Sequence, residues 1–270
     1  KGYKNMKFYV SKSNDPFFNL AFEEYLMKNG NESLFLIYQN DKCVIIGKNQ
    51  NPHTETGIQY LADNNIKIVR RMSGGGAVYQ DLGNFNYSFI MHDHAENIYN
   101  FKKYSQPIID LLNKFTTQEV CFSGRNDLLI DGKKFSGTAQ MTHDDVLVHH
   151  GTILYNTDFS NISKILIPNN EKLKTKGVKS VRSRVTNLKD YLPSEITFEK
   201  LQLEFIKTFG SSEEYLPSEE MINEIEKLAQ QKKDSIQFIL ENNKKYTNMS
   251  VEYIPGFGTK QVYANIKDDK

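Results

Sequence analysis

The sequence of 270 residues has no tryptophan, only two cysteines, and no apolar run that approaches 18 residues. The lack of such a run excludes a membrane-spanning helix. Cys43 and Cys121 lie in apolar contexts without a CxxC motif, which indicates reduced thiols and not a disulfide framework. We therefore expect the chain in the cytoplasm, or in an organelle if a targeting segment preceded Lys1.

An excess of charge of either sign is also missing. The 34 Lys and Arg residues nearly balance the 33 Asp and Glu residues, and the formal net charge is +1. Such a chain lacks the positive field of a dedicated nucleic-acid-binding protein, so we expect neither nucleic acid nor a membrane as a partner. Hydrophobic residues make up 39% of the chain and charged residues 25%, which is typical of a globular protein.

Arginine is scarce, since it supplies only five of the 34 basic residues. The five lie in three short segments, at Arg70 and Arg71, at Arg125, and at Arg182 and Arg184. A guanidinium can hold a carboxylate or a phosphate through two parallel hydrogen bonds, which an ammonium cannot do. The three segments are therefore candidate anion sites; the alternative is a lysine-biased composition with five arginines placed by chance.

Helical and extended patterns interrupt one another along the chain and predict an α+β fold with mixed or antiparallel sheets. Asp15-Pro16 is a typical helix start and Gly30 a typical helix end. Asp131-Gly132 is the strongest hairpin signal, between predicted strands 127–130 and 133–140. The other predicted strands cover 34–38, 43–46, 66–69, 85–91, 146–149 and 152–155, and the other predicted helices cover 54–61, 101–115, 160–166 and 197–209.

The composition of the sequence changes near residue 211, where charged and polar residues become more frequent. A charged helix is predicted over 218–232, followed by a polar stretch and two strands at 251–254 and 261–266. Two strands are only marginally stable alone. We therefore predict a main domain over residues 1–210, and over 211–270 a linker helix with the start of a small, incomplete accessory domain.

The densest candidate site is the segment from Arg70 to Tyr79, which contains three consecutive glycines. Glycines permit positive φ and let backbone N–H groups converge on an anion. The segment is not a Walker A phosphate-binding loop, because no GK[ST] follows, and it is not a dinucleotide fingerprint, because no helix pattern follows. It predicts phosphate or carboxylate binding; the alternative is a tight turn between strands.

A second candidate begins at Gly124 and continues through the predicted hairpin to Ala139. Strand alternation places Lys134, Ser136 and Thr138 on one face of the second strand. A lysine there could neutralise a phosphate and a reacting carboxylate together, and Asn126 with Asp127 could hold a metal or a ribose. The alternative is an ordinary amphipathic hairpin with a solvated lysine.

Two further segments carry polar groups. His149 and His150 must point to opposite faces of a strand, so we expect one to line a pocket and the other to pack in the core; their spacing matches no standard zinc pattern. The run from Lys172 to Arg184 has several basic residues and no acid. It is either a solvated loop or a loop that closes over a phosphorylated ligand.

Taken together, these segments resemble the lipoate–protein ligases over about residues 6–210. The matching elements are RR-x-SGGG-A-V-[FY] at 70–79, DLGN at 81–84, GRNDL at 124–128, K-x-SG-x-A at 134–139, HHGT at 149–152 and KG-x-x-SVRSRVTN at 176–187. The resemblance implies a catalytic domain of the biotin/lipoate-ligase fold, which is related to class II synthetases.

The resemblance also implies an activity. ATP and lipoate would form lipoyl-AMP, and the lipoyl group would pass to a lysine of a carrier domain, on 2-oxoacid dehydrogenase E2 subunits or the glycine-cleavage H protein. Lys134 would be the catalytic residue and Asp127 would hold Mg²⁺. Separately, we expect the protein to be a monomer. The residues implied to bind ATP or lipoyl-AMP are Arg70, Arg71, Ser73, Gly74, Gly75, Gly76, Ala77, Val78, Tyr79, Asn84, Asn126, Asp127, Lys134, Ser136, Gly137, Thr138, Ala139, His150, Gly151, Thr152, Lys179, Val181 and Arg182.

Two alternatives stay open at the level of the sequence. One is an octanoyl or biotin transferase on the same fold, although a cysteine nucleophile has no support, because Cys43 and Cys121 lie outside the matched motifs. The other is a non-catalytic protein that binds lipoyl-AMP or a carrier domain. The C-terminal part departs from the family pattern because it lacks tryptophan and ends within the first strands of the accessory domain.

Overall fold

The computed structural model describes residues 6–167, 185–242, 248–254 and 258–264. The predicted α+β class is confirmed. The described strands are β1 Met6–Val10, β2 Leu34–Tyr38, β3 Cys43–Ile46, β4 Lys67–Arg70, β5 Val78–Gln80, β6 Asn84–Met91, β7 Val120–Ser123, β8 Asp127–Ile130, β9 Lys133–His143, β10 Val146–Leu154, β11 Gly210–Glu214, β12 Asn248–Ile254 and β13 Gly258–Ala264. The described α-helices are α1 Pro16–Asn29, α2 Pro52–Glu55, α3 Ile58–Asp63, α4 Phe101–Leu112, α5 Ile162–Ile165, α6 Phe198–Phe209 and α7 Glu219–Asn242, with short 3-10 helices at Ala95–Asn97 and Leu188–Tyr191.

The main sheet has eight strands in the order β11-β1-β2-β6-β10-β9-β8-β7. Pairing is parallel between β11, β1 and β2 and antiparallel across the rest. Both faces of the sheet are covered, because alternate residues of β2 enter two different cores: Leu34 and Leu36 face one, and Phe35 and Ile37 face the other. A strand that is apolar at every position is the expected sequence for such a central place.

A smaller sheet, in the order β4-β3-β5, lies beside the first core. Strands β2 and β3 follow one another in the sequence, but they do not pair with each other. The chain leaves the large sheet after Tyr38 and enters the small one at Cys43. Asn40, between them, is fully buried and donates to Gln80 Oε1 at 2.8 Å. The crossing places the glycine loop, which joins β4 to β5, against the large sheet.

Two local predictions were wrong. The strands predicted at 146–149 and 152–155 are one strand, β10, because Gly151 continues the ladder opposite Tyr87. A Cβ at Gly151 would collide with the Tyr87 hydroxyl, so glycine here makes room and does not end the strand. The helix predicted over 54–61 is divided into α2 and α3 at Thr56, which forms a bridge with Leu166.

Helix α7 packs on α1, and its apolar stripe belongs to the first core through Met221, Ile225, Ala229 and Ile236. Lys232 of α7 also forms an ion pair with the buried Glu24 of α1. The division of the chain at residue 210 stays a prediction, but α7 completes the packing around α1. No helix in the described part of the chain is long and apolar enough to cross a bilayer.

Candidate active site

A pocket lies where the glycine loop faces strands β9 and β10. Helix α1 and the buried ends of β2 and β3 close its inner side. The lining residues are Leu20, Tyr38, Asn40, Ile45, Arg71, Gly75, Gly76, Ala77, Val78, Gln80, Asn86, Asn126, Lys134, Gly137, Thr138, Ala139, His150, Gly151 and Thr152. Three sequence segments that were predicted separately, around residues 71–78, 126–139 and 150–152, therefore meet in one place.

Lys134 carries the ammonium of the pocket. Its Nζ lies 2.7 Å from Asp127 Oδ1, and both side chains are roughly one-third exposed. The hairpin brings them together, since the turn at Asp131-Gly132 lies between the two strands that carry them. Nζ of Lys133, the preceding residue, lies 3.8 Å from Asp131 Oδ2, and Lys133 is outside the pocket lining. The two adjacent lysines therefore have different surroundings.

The predicted face of β9 was partly wrong. Lys134 pairs with Leu129, but Ser136 pairs with Leu128, so the extra residue Phe135 bulges from the ladder. A bulge reverses the alternation, and Ser136 is fully buried on the side of Leu128. Gly137 takes its place beside Lys134 in the lining of the pocket.

Arg71, at the start of the glycine loop, points its guanidinium inward, to backbone carbonyls of the protein itself. Arg71 donates to Gly74 O and Gly76 O, both at 2.8 Å, and to Ile45 O at 3.2 Å. Burial, offset in part by Tyr38 and Glu23, lowers the pKa of Arg71 to about 10. Arg71 therefore reaches the pocket wall while its guanidinium holds the loop.

Arg70, which was expected to bind ATP or lipoyl-AMP, bonds to backbone carbonyls in the structure. Its Nη1 donates to the carbonyls of Gly47, Lys48 and Gln50 at 2.7 to 3.0 Å, outside the pocket lining. The guanidinium that suggested anion binding instead fixes the backbone of the segment after β3.

Five other predicted residues stand outside the pocket lining, and one of them, Asp127, meets the pocket only through its contact with Lys134. Tyr79 packs in the first core, Asn84 is fully buried beside Asn86, Ser73 is buried behind the loop, and Gly74 turns its carbonyl to Arg71. Asn86 lines the pocket where Asn84 was expected.

Asn126 holds the strand opposite it. Its Nδ2 donates to Thr138 O at 2.5 Å, and its own carbonyl accepts from Thr138 N at 2.9 Å and from Thr138 Oγ1 at 3.1 Å. Asn126 and Thr138 both line the pocket, as predicted, and they fix the turn next to Asp127. Among the described residues, no group of three or more His, Cys, Asp or Glu side chains could hold a metal ion.

The histidine pair divides as predicted. His149 is fully buried beside the rings of Tyr87, Phe89 and Tyr104, and burial, with a smaller effect of His150, lowers its pKa to about 3. His150 lines the pocket. Its Nε2 lies 2.8 Å from Ser73 Oγ, and its Nδ1 lies 2.9 Å from Glu23 Oε1.

The inner wall of the pocket was not predicted; it comes from α1, β2 and the buried amides of Asn40 and Gln80. Asn19 and Glu23, one turn apart in α1, are almost fully buried. Polar residues at helical spacing within an apolar helix are a signal that could have revealed this wall. The predicted ligand contacts of Lys179, Val181 and Arg182, and the basic run around them, lie outside the described residues.

The lipoyl protein ligase A/B catalytic domain is the family whose model matches residues 15–210. The chain belongs to this family. It is 38% identical over 255 residues to the lipoate-protein ligase LplJ of Bacillus subtilis (strain 168). The alignment covers 88% of this chain and 77% of that protein. The family match agrees with the resemblance that the motifs of this ligase indicate.

Two solved structures share the fold. The crystal structure of P. falciparum LipL1 in complex with lipoate superposes with a TM-score of 0.77, 27% identity, and coverage of 98% of this chain and 82% of that one. A bi-partite lipoate protein ligase of Thermoplasma acidophilum, studied with its E2 lipoyl domain, gives a TM-score of 0.76 at 24% identity, covering 91% of this chain and all of that one. The lipoate-ligase fold of the chain is thus established.

Proposed function

We propose that the chain activates lipoate with ATP to lipoyl-AMP and transfers the lipoyl group to a lysine of a carrier domain. The observation that carries the proposal is the placement of Lys134, which pairs with Asp127, in the same pocket as the glycine loop. The family and the lipoate-bound relative of the same fold support it.

In the first step, a carboxylate oxygen of lipoate attacks the α-phosphorus of ATP, and pyrophosphate leaves. Two anions must approach each other, so a fixed cation between them lowers the barrier more than a mobile one. The ammonium of Lys134 meets this need, because Asp127 holds it at the pocket wall.

The glycine loop supplies the opposite wall. Gly75 has a φ of 104°, a conformation that favours glycine, and the carbonyls of Gly74 and Gly76 are held by Arg71. Because a trans peptide places C=O and N–H on opposite sides, the N–H groups of Gly75 and Ala77 point away from Arg71. We propose that they donate to phosphate oxygens.

Mg²⁺ is part of the proposal. The ion is held in many nucleotide sites by one or two carboxylates, with substrate phosphates and water completing its shell. Asp127 fits the role of a single carboxylate ligand, and bound Mg²⁺ would neutralise phosphate charge.

In the second step, the amine of a carrier lysine attacks the lipoyl carbonyl, the amide forms, and AMP leaves. We propose lipoyl carrier domains of E2 subunits or the H protein as acceptors, in line with the E2 lipoyl domain named with the Thermoplasma ligase. Monomeric state and cytoplasmic location are part of the same proposal; the two free cysteines support the latter.

The test is lipoate-dependent release of pyrophosphate from MgATP, followed by a mass shift of a lipoyl domain. Lys134→Ala should lower the rate of pyrophosphate release by roughly 100-fold or more, because the anions lose their fixed cation. Lys133→Ala is the matched control and should leave the rate within about twofold.

Equal rates in the two variants would contradict the role of Lys134. Pyrophosphate release without transfer would limit the chain to activation. Faster transfer from an octanoylated carrier than from lipoate and ATP would replace the proposal with an octanoyl transferase.

A further inference from the structure

A continuous line of buried hydrogen bonds runs from α1 to the glycine loop. Both carboxylate oxygens of Glu23 lie within hydrogen-bond distance of His150 Nδ1, at 2.9 and 3.0 Å. His150 Nε2 lies 2.8 Å from Ser73 Oγ, and Arg71 Nε donates to the same oxygen at 3.0 Å. Glu23, Ser73, Arg71 and His150 are all more than nine-tenths buried.

The chemistry of the four groups determines which atom donates and which accepts in each hydrogen bond of the line. An ionised carboxylate can only accept, so Nδ1 of His150 carries a proton, and in the neutral ring Nε2 is then an acceptor. Ser73 therefore donates its hydroxyl proton to His150 and accepts from Arg71. In this arrangement each polar atom in the line has a hydrogen-bond partner.

The order serine, histidine, carboxylate is also that of acyl-transfer triads. Here the serine is only 1% exposed and stands outside the lining of the pocket, and its oxygen already accepts from Arg71. Ser73 is therefore in no position to attack a substrate, and the line has another use.

The role of this line of hydrogen bonds follows from the contacts of Arg71, its last residue. Arg71 holds the carbonyls of Gly74 and Gly76, so the position of its guanidinium sets the direction of the loop peptides. We infer that Glu23 is a positioning residue: acting through His150, Ser73 and Arg71, it sets the glycine loop in the orientation that accepts phosphate. The inference rests on the proposed function for its kinetic effect, but the orientation of the loop can be measured without ligand.

Glu24 provides a matched control, because it is the next residue of the same helix and is also buried. It faces away from the pocket and pairs with Lys28 and Lys232. Glu23→Gln and Glu24→Gln both remove a buried carboxylate charge from α1. Only the first should disturb the line to the loop.

The experiment compares the two variants with the full chain by NMR and kinetics. In the ligand-free protein, Glu23→Gln should change the nitrogen shifts of His150 away from the Nδ1–H tautomer and move the amide resonances of Gly74, Gly75 and Gly76. It should lower kcat/KM for lipoate-dependent pyrophosphate release roughly 10- to 100-fold, as expected for a displaced binding group. Glu24→Gln should lower Tm and leave the glycine amides unmoved.

Ser73→Ala keeps the inference testable if Glu23→Gln fails to fold. It leaves the Glu23–His150 pair intact and breaks the next link, so it should move the same amides. The double variant should be no worse in kcat/KM than either single one, because residues in one line are not additive. Unmoved glycine amides in the variants would overturn the inference, as would additive effects. An inactive wild-type chain whose amides still move as expected would overturn the proposed function alone.

Discussion

Gly137 lies directly beside the ammonium of Lys134: a Cβ at position 137 would be 2.9 Å from Nζ and 3.0 Å from Cε. The bulge at Phe135 creates this contact, because it brings Gly137 and not Ser136 to the pocket side of β9. The glycine therefore gives the lysine the space in which it meets Asp127.

Gly137→Ala should move the Lys134 ammonium while the protein stays folded. The obstructed atoms are the flexible end of a lysine, so the strand can keep its place, and alanine restricts the unfolded chain. We expect an unchanged or slightly higher Tm, with kcat/KM for pyrophosphate release lower by roughly 10- to 100-fold.

The double variant Gly137→Ala with Lys134→Ala supplies the control. If the methyl group acts only through the lysine, it should add no further loss to that of Lys134→Ala. A further tenfold loss would mean that position 137 contacts the substrate itself.

The parts of the fold that were predicted well depend on local signals. Helix α1 follows from Asp15-Pro16 and Gly30, and the β8–β9 hairpin from Asp131-Gly132, because each signal acts within a few residues of the element. The separation of β2 from β3 into different sheets depends on partners distant in the sequence. The short apolar run of each strand carries no information about its neighbour.

The candidate site shows the same division. Residue types that are typical of a binding site, and not of packing, predicted the glycine loop, the lysine and the paired histidines. The targets of the arginine forks were not predicted, since Arg70 and Arg71 bind carbonyls that any folded chain possesses. A guanidinium suits a carbonyl cluster as well as a phosphate, and only the packing decides between them.

His149 should make stability sensitive to acid. Its pKa is about 3 in the folded protein, mainly because of burial, and an unfolded histidine titrates near 6.5. Between these values the unfolded chain binds more protons than the folded one, so stability rises with pH and is lost as the pH falls through 6.5. From pH 7 to pH 5 this one group should cost about 2 kcal/mol.

Urea unfolding at pH 7 and pH 5 can measure this loss in the wild type and in His149→Asn, whose amide oxygen can replace Nδ1 as acceptor from Gln140. The variant should lose less stability on acidification than the wild type. His143→Asn, at the more exposed His143, should lose as much as the wild type. Equal losses in all three proteins would show that His149 is not held neutral by its surroundings.

The last prediction concerns the attachment of α7 to α1. Lys232 and Glu24 form an ion pair in which the two side chains are only 12% and 6% exposed. Burial alone would raise the pKa of Glu24, but hydrogen bonds from Lys232 and Lys28 lower it below its ordinary value. Removing Lys232 leaves the carboxylate with one partner instead of two.

Lys232→Met should therefore destabilise the whole domain, by about 2 kcal/mol, because a buried charge loses a partner. Lys233→Met, at the exposed neighbouring position, should leave Tm unchanged. A chain that ends at residue 210 should suffer more than Lys232→Met, because it also exposes the core that Ile225 and Ile236 cover. Calorimetry of the three proteins decides the matter: a chain ending at 210 with the wild-type Tm would mean that α7 is an appendage and that the domain is complete without it.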